Sequence, residues 1–382
     1  MRYFCILFDW NYLTRGLALY HSIMRHCAES EVHILCTDEA SMKYLAQSPL
    51  PGCHLISPAD IEAADPELLA IKGTRTLKEY CFTLKSCLIR HLLGRIPENE
   101  FLTYLDADLY FFSGMEPVYE ELKDASIGIT EHRFPKELEH MAIHGVYNAG
   151  WIAFRNDDRA RRCLDHWRKQ CFAWCHDRVE GGHYADQTYL NEWPERFEGT
   201  VIVRNPGANL APWNVGQYQI DGSTSPVSVD GHRLVFFHFH ALHWIAGASF
   251  DCQLSKYGFE LTDALRGHIY QPYLDELRAG DKTVHPGSTP DSKYTLIPRR
   301  AGDEHAAVEN YLYEKLAVVQ KDLAGKMPVI LDLEKQCIAR LEGVNYLKTM
   351  VAERDAKIAK LKNPIGYWLR GGKNKSKAAQ QD

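Results

Sequence analysis

The sequence predicts an α/β protein with a mostly parallel sheet covered by helices on both faces, followed by a C-terminal helical extension. Short apolar, β-rich runs alternate with helical patterns over the first 110 residues, which implies parallel strands joined by helices. The run FLTYLDADLYFF then passes into acidic residues, as expected where a parallel strand reaches the edge that binds ligands. Beyond residue 305, apolar residues recur close to heptad spacing, which predicts the extension.

In chain order, Tyr3 to Phe8 is an apolar run of strand length, Leu17 to His26 has a helical pattern and Val32 to Cys36 is a second strand. A helix is predicted from Leu77 to Leu93, where Tyr80, Leu84, Cys87, Leu88 and His91 share a face. Phe101 to Leu105 is a buried strand ending at Asp106 and Asp108. Further strands are expected at Ser126 to Ile129, Gly150 to Phe154, Thr200 to Val203 and Leu234 to His240, with helices at Asp158 to Cys171 and Asp186 to Trp193. Lys282 to Arg300 is rich in Pro, Ser, Thr and Lys and reads as a linker.

The expected organisation is a catalytic unit over 1–280, a linker over 281–304, a helical extension over 305–362 and a tail over 363–382. In the extension, Leu341, Val344, Leu347, Val351, Ile358 and Leu361 approach a heptad set, but Arg354 interrupts it and Pro328 breaks the segment. A short helical hairpin, a weak coiled coil and a homodimer seam all remain open. In the tail, Ile365, Tyr367, Trp368 and Leu369 stand beside Arg370, Lys373, Lys375 and Lys377, which suits either an anionic membrane surface or a solvated, disordered end.

The 382 residues include 45% hydrophobic and 25% charged side chains, which argues against a disordered or collagen-like chain. A formal net charge of −6 gives the whole chain no electrostatic reason to seek nucleic acid. Eleven scattered cysteines, an odd number without regular spacing, suit reduced thiols and a cytoplasmic location. The opening MRYFCILFDWNY lacks the marks of a signal peptide, and no apolar stretch reaches about 18 residues.

Two carboxylates one residue apart at the mouth of a parallel sheet can share a hard divalent cation, and such an ion neutralises a diphosphate. Asp106 and Asp108 stand between the apolar runs YL and LYFF, and carboxylates in that setting need a partner. Three histidines, His238, His240 and His243, cluster at a late strand end, with His238 and His240 on one face by the period of two.

YLDADLYFF, then YNAGWIAFR, then ADQTYLNEW, then FFHFHALHW resemble the ordered motifs of GT-A glycosyltransferases, closest to the retaining family that includes glycogenin and bacterial lipopolysaccharide galactosyltransferases, the family 8-like group. The resemblance covers roughly residues 1–250. It implies a metal-dependent, retaining transfer from a nucleotide sugar, usually a UDP-sugar, to a glycan or lipid-linked glycan hydroxyl, with Mn²⁺ or Mg²⁺ as cofactor.

By this resemblance Asp106, Asp108 and His238 bind the metal, with His240 as the alternate, and Asp106 also lies near the donor. Asp9 and Tyr12 match the nucleobase loop, with Tyr12 the stacking ring. Lys85 falls where the family has a donor-contacting lysine. Asn148, Ala149 and Gly150 approach the donor sugar, and Asp186 and Gln187 face its anomeric carbon, so Asn148, Asp186 and Gln187 are the expected catalytic residues. The family's late Gly and Lys-Pro-Trp are replaced here by Ala241, His243 and Trp244, which leaves His243 as a candidate phosphate contact.

Several motifs carry competing structural readings. Asp186 also fits an N-cap. Asn209, Trp213 and Asn214 of PGANLAPWN fit either an acceptor platform or a structural turn. HRFPKELEHMAIHG is expected as a mobile loop over the site, while Cys163, Cys171 and Cys175 read as buried helix thiols rather than a metal knuckle. The expected location is cytoplasmic, with peripheral attachment at the inner face of the membrane left open. Two rivals remain: a nucleotide-sugar-binding scaffold at the membrane, favoured by the altered late motif, and a sugar-nucleotide hydrolase or nucleotidyltransferase, which lacks an amino-terminal Gly-rich phosphate loop here.

Overall fold

The alternation of apolar runs and helical patterns folds into a seven-stranded sheet. The computed structural model describes residues 1–296, apart from 28 and 288, and residues 348–357. Strands β1 (Arg2–Phe8), β2 (Ser30–Cys36), β3 (Cys53–Ile56), β4 (Phe101–Asp106), β5 (Leu109–Phe111), β6 (Ile127–Glu131), β7 (Tyr147–Arg155) and β8 (Thr200–Val203) alternate with helices α1 (Leu13–His26), α2 (Glu39–Gln47), α3 (Pro58–Ala64), α4 (Pro66–Lys72), α5 (Leu77–Leu93), α6 (Glu116–Glu121), α7 (Asp158–Ala173) and the one-turn α8 (Trp193–Arg196).

The sheet order is β3-β2-β1-β4-β7-β6-β8. Strand β1 is parallel to β2 and β4, and β6 is parallel to β8, while β7 runs antiparallel to both β4 and β6. Because side chains alternate along a strand, Tyr3 and Cys5 of β1 enter the core that contains Leu84 and Leu88 of α5, while Phe4, Ile6 and Phe8 enter the core that contains Leu17 and Ile23 of α1. The sheet is therefore covered on both faces, as expected.

Local chemistry sets the element ends. Thr76 and Glu79 form a reciprocal capping box at the start of α5, which carries Lys85 two turns on, and Gly94 ends the helix. The run FLTYLDADLYFF is two strands rather than one, because the chain turns at Ala107 and Asp108 between β4 and β5.

Beyond β8, strands β9 (Ile220–Asp221), β10 (Ser228–Val229) and β11 (His232–Arg233) form a small sheet, and β12 (Phe236–His238) pairs antiparallel with β5, setting His238 opposite Leu109. Strand β12 is shorter than the expected 234–240. Phe239 N–H instead bonds the carbonyl of Asp108 at 2.8 Å, and the chain turns at Ala241, whose φ is +61°. Strands β13 (His243–Ala246), β14 (Ser249–Asp251) and β15 (Thr295–Leu296) form a last sheet, with helices α9 (Asp263–Leu265) and α10 (Gln271–Val284) between β14 and β15. A third core joins β5, β12 and α10, with Phe239 stacked on Tyr273 at 3.8 Å.

Two expected elements differ. Over 186–193 the chain forms a 3-10 turn at Thr188–Glu192 leading into α8, and the Asp186 carboxylate caps neither. Its partner is a buried lysine, which outcompetes backbone N–H groups for a carboxylate. The first part of the stretch read as linker contains the end of α10 and then β15, because Tyr294 and Leu296 bury beside Phe250.

Residues 348–357, helical when described by themselves, belong to a second compact unit over 308–382. The rest of that unit, including the tail read as a membrane contact and most of the heptad set, lies outside the described residues. No helix among the described residues is long and apolar enough to cross a membrane.

Candidate functional site

A cavity of about 630 Å³ opens at the carboxyl ends of β1 and β4, the edge at which ligands bind in open α/β sheets. Of the side chains singled out in the sequence, Asp9, Tyr12, Lys85, Asp106, Asp108, Asn148, Ala149, Asp186, Gln187, Trp213, His238 and His240 all line it. The chain thus gathers segments up to 230 residues apart into one volume of the size that holds a cofactor-sized ligand.

Lys85 forms the centre of one cluster. It is buried, with its Nζ 3.0 Å from the Asp186 carboxylate, 3.4 Å from that of Asp106 and donating to the Ala149 carbonyl at 3.1 Å. Tyr104 donates its hydroxyl to Asp106 Oδ1 at 2.8 Å and offers its ring face to Lys85. Burial alone would push the ammonium toward neutrality, but Asp106 and Asp186 outweigh it and raise its pKa. Burial raises the carboxyl of Asp186 against the pull of Lys85.

Asp108, His238 and His240 form a second cluster, their ligand atoms all within 4.8 Å of one another. His238 Nε2 lies 3.1 Å from Asp108 Oδ1. Burial would raise the Asp108 carboxyl, but His238, with help from Arg15 and His240, holds it well below the usual carboxylate range. His238 is raised in turn, since Asp108 overcomes its burial. Asp106, expected in the metal set with Asp108, stands outside this group and faces Lys85 instead.

One carboxylate and two imidazoles form a donor set that suits a divalent first-row ion. Gly150 completes the fit, because a Cβ there would lie 2.6 Å from His238 Cε1, 2.8 Å from Asn148 Oδ1 and 2.9 Å from Asp106 Oδ2.

The Asn148–Gln187 region is held by hydrogen bonds. Gln187 Oε1 accepts from Ala149 N–H at 3.0 Å and from Asn148 Nδ2 at 3.2 Å, and its Nε2 donates to the His144 carbonyl at 2.9 Å. Asn148 Oδ1 accepts from Gly150 N–H at 3.1 Å and lies 3.2 Å from His238 Nδ1.

At the amino end, Asp9 accepts from the N–H groups of Asn11 and Tyr12 and so caps the short turn that presents Tyr12, which is 41% exposed. His243 is not among the cavity-lining side chains, because the turn at Ala241 carries it onto β13, where it is exposed. The expected phosphate contact therefore stands apart from the other site residues. Asn209 and Asn214 are buried and spend their amides on backbone carbonyls, a turn scaffold, whereas Trp213 reaches the cavity. HRFPKELEHMAIHG forms a 3-10 segment over Lys136–His144, and Phe134, Met141 and His144 line the cavity.

His132 was not singled out from the sequence. It is buried, stacked on Phe134 at 4.8 Å, and lies edge-on to Trp213 at 5.1 Å. Its only sequence signal was its place in a three-histidine loop without zinc spacing. Arg15 was also missed; it donates to the Leu242 carbonyl at 2.6 Å and lies over the Tyr12 ring.

No protein-family model matches the chain. Two proteins of Bacillus subtilis (strain 168), both described as uncharacterized, are related to it. YfnF is 32% identical over 244 residues, covering 62% of this chain and 80% of YfnF. The chain belongs to the YfnF family. YfnD is 29% identical over 303 residues, covering 78% of this chain and 96% of YfnD.

Similar solved structures include the galactosyltransferase LgtC with donor and acceptor sugar analogs, 17% identical, TM-score 0.41, covering 70% of this chain and 99% of that one. Mouse xyloside xylosyltransferase 1 is 15% identical, TM-score 0.39, covering 63% of this chain and 98% of that one. The glycosyltransferase GlyE of Streptococcus pneumoniae TIGR4 is 15% identical, TM-score 0.34, covering 54% of this chain and 46% of that one.

Proposed function

We propose that this protein is a GT-A, family 8-like glycosyltransferase that moves a sugar from a nucleotide-diphosphate sugar, of the UDP-sugar class, to a hydroxyl of a glycan or lipid-linked glycan. The observation that carries the reading is the division of labour in one cavity: an internally paired Lys85–Asp106–Asp186 cluster beside an Asp108–His238–His240 donor set. A binding scaffold needs no such pairing of a buried lysine with two carboxylates.

Asp108 and His238, with His240, would hold Mn²⁺ or Mg²⁺. A divalent ion bound there would supply countercharge to the diphosphate as it departs. Tyr12 offers an exposed ring for base stacking. Lys85 keeps Asp106 and Asp186 fixed, and Asp186, at the cavity wall, would support an oxocarbenium-like centre on the donor sugar. Retention of anomeric configuration belongs to the same proposal and is read from the product linkage by proton NMR.

Cytoplasmic residence and contact of the 363–382 tail with anionic lipid extend the proposal, since basic residues beside Trp368 and Leu369 suit that surface. A panel of nucleotide sugars, assayed with and without Mn²⁺ and with and without glycan acceptors, tests the function. Acceptor-dependent release of nucleoside diphosphate supports transfer. Equal release without acceptor would make the protein a hydrolase, and no release with any donor would favour the scaffold.

A further inference from the structure

We infer that His132 and Asn148 are positioning residues that fix the His238 ring with its Nε2 turned to Asp108, and that Asn148 is thereby withheld from the donor sugar. The inference deepens the proposed function and rests on its metal-site reading.

The argument starts from groups whose hydrogen-bonding role cannot change. The backbone N–H of Gly150 can only donate, so the Asn148 atom 3.1 Å from it is the carbonyl oxygen Oδ1. The N–H of Ala149 can only donate, so it meets Gln187 Oε1, which leaves Gln187 Nε2 to donate to the His144 carbonyl. With both amides oriented by main chain, Asn148 Nδ2 donates one hydrogen to Gln187 Oε1. Its second hydrogen faces His132 Nε2 at 3.3 Å, which must therefore accept.

His132 then carries its proton on Nδ1, and the Val146 carbonyl, 3.2 Å from that atom, is an obligate acceptor that requires it. On the other side of the amide, His238 Nδ1 faces Asn148 Oδ1 at 3.2 Å and must donate. One proton arrangement satisfies every bond from the Val146 carbonyl to His238. It leaves His238 Nε2, 3.1 Å from Asp108, as the ring atom available to a cation.

Two consequences follow. Both hydrogens and both lone pairs of the Asn148 amide are spent inside the protein, so it has nothing left to read sugar hydroxyls. His132, which touches neither Asp108 nor His240 through a hydrogen bond, acts through Asn148. Its burial holds it neutral, with a pKa pushed down to about 3, so the ring carries a single proton at neutral pH and the two hydrogen bonds select its nitrogen.

The tests use the full chain without added substrate. Long-range ¹H–¹⁵N spectra of wild-type protein with labelled histidine should show His132 as the neutral Nδ1–H tautomer; an Nε2–H tautomer would overturn the inference with no mutation made. Electron paramagnetic resonance of free Mn²⁺ then measures metal affinity. His132→Phe keeps the stacking on Phe134 but loses the acceptor, and should weaken Mn²⁺ binding by about 10- to 100-fold. His132→Gln, which retains an acceptor oxygen, should lose less. Wild-type affinity in His132→Phe, or equal losses in both variants, would overturn the inference. Absence of Mn²⁺ binding in the wild type would instead overturn the metal reading, while the tautomer measurement still judges the hydrogen-bond chain.

Discussion

Asp106 and Asp108 stand two residues apart, yet the chain gives them opposite surroundings. Asp106 ends a regular strand and points to Lys85, on the long helix α5, where Asp186 also converges. Asp108 lies in the turn after β4 and meets His238 at the end of β12, with the exposed His240 alongside. The first cluster is paired internally, Lys85 lying between Asp106 and Asp186, with Asp106 half-buried at the cavity wall. The second keeps an exposed member and has a donor set that a cation can exchange into. Charge that organises the site is thus carried by regular elements, and charge that meets the ligand is carried where those elements end.

If that comparison holds, single substitutions should separate the two clusters by their effect on stability. The largest loss is expected for Lys85→Met, which leaves the buried Asp186 carboxylate without its cation beside the half-buried Asp106; urea unfolding should show a loss of about 3–5 kcal/mol. A loss below about 1 kcal/mol would mean that the cluster is solvated rather than internally paired.

Gly150→Ala should rank second. The new Cβ would crowd His238, Asn148 and Asp106 at once, with an expected cost of about 1–3 kcal/mol and a parallel drop in turnover, since both clusters border it. Unchanged unfolding would show that the two clusters are less tightly joined than their spacing implies.

A smaller effect should appear on acidification at the base of α5. Burial would raise the carboxyl of Glu79, but the Thr76 N–H, His176 and the Asp177 N–H outweigh it and hold its pKa down to about 2. Since this is below the usual 4.5, the stabilising contribution is complete above about pH 4.5 and fades as pH falls toward 2. Glu79→Gln should cost about 1 kcal/mol at pH 7 and flatten the dependence of unfolding free energy between pH 5 and 3. An unaltered slope would assign the acid sensitivity to other groups.

Asp108→Asn should change stability least, lowering the melting temperature only slightly, because the charge pairing with His238 that holds its carboxyl low is lost while an amide oxygen of the same shape can still accept from that ring. Melting curves followed by circular dichroism check this, and a marked destabilisation would place Asp108 with the internally paired cluster.

The same comparison explains what was legible in the sequence. Strands β1 and β4 and helix α5 were readable because their apolar periodicity is local, and α5 spans the residues its pattern predicts, Leu77–Leu93. His238 and His240 were readable as a pair near a strand end. The partner of Asp106 was not, since Lys85 and Asp186 reach it only after α5 and the 186 loop pack on the sheet. His132 was hidden for a similar reason: its partners, Val146 and Asn148, lie beyond an intervening 3-10 segment, and hydrogen bonds across such a gap leave no periodic trace. The placement of His243 turned on one positive φ at Ala241, a residue type that carries no turn signal.

The most direct test of the central claim is calorimetric titration of UDP into the wild-type protein and Asp108→Asn, each with and without Mn²⁺. Diphosphate and cation sharing the Asp108 cluster must strengthen each other's binding. UDP should bind the wild type at least about tenfold more tightly with Mn²⁺ than without, a coupling of about 1.4 kcal/mol, and Asp108→Asn should abolish that difference. UDP binding that is indifferent to Mn²⁺ in the wild type, or a coupling that survives in Asp108→Asn, would contradict the account.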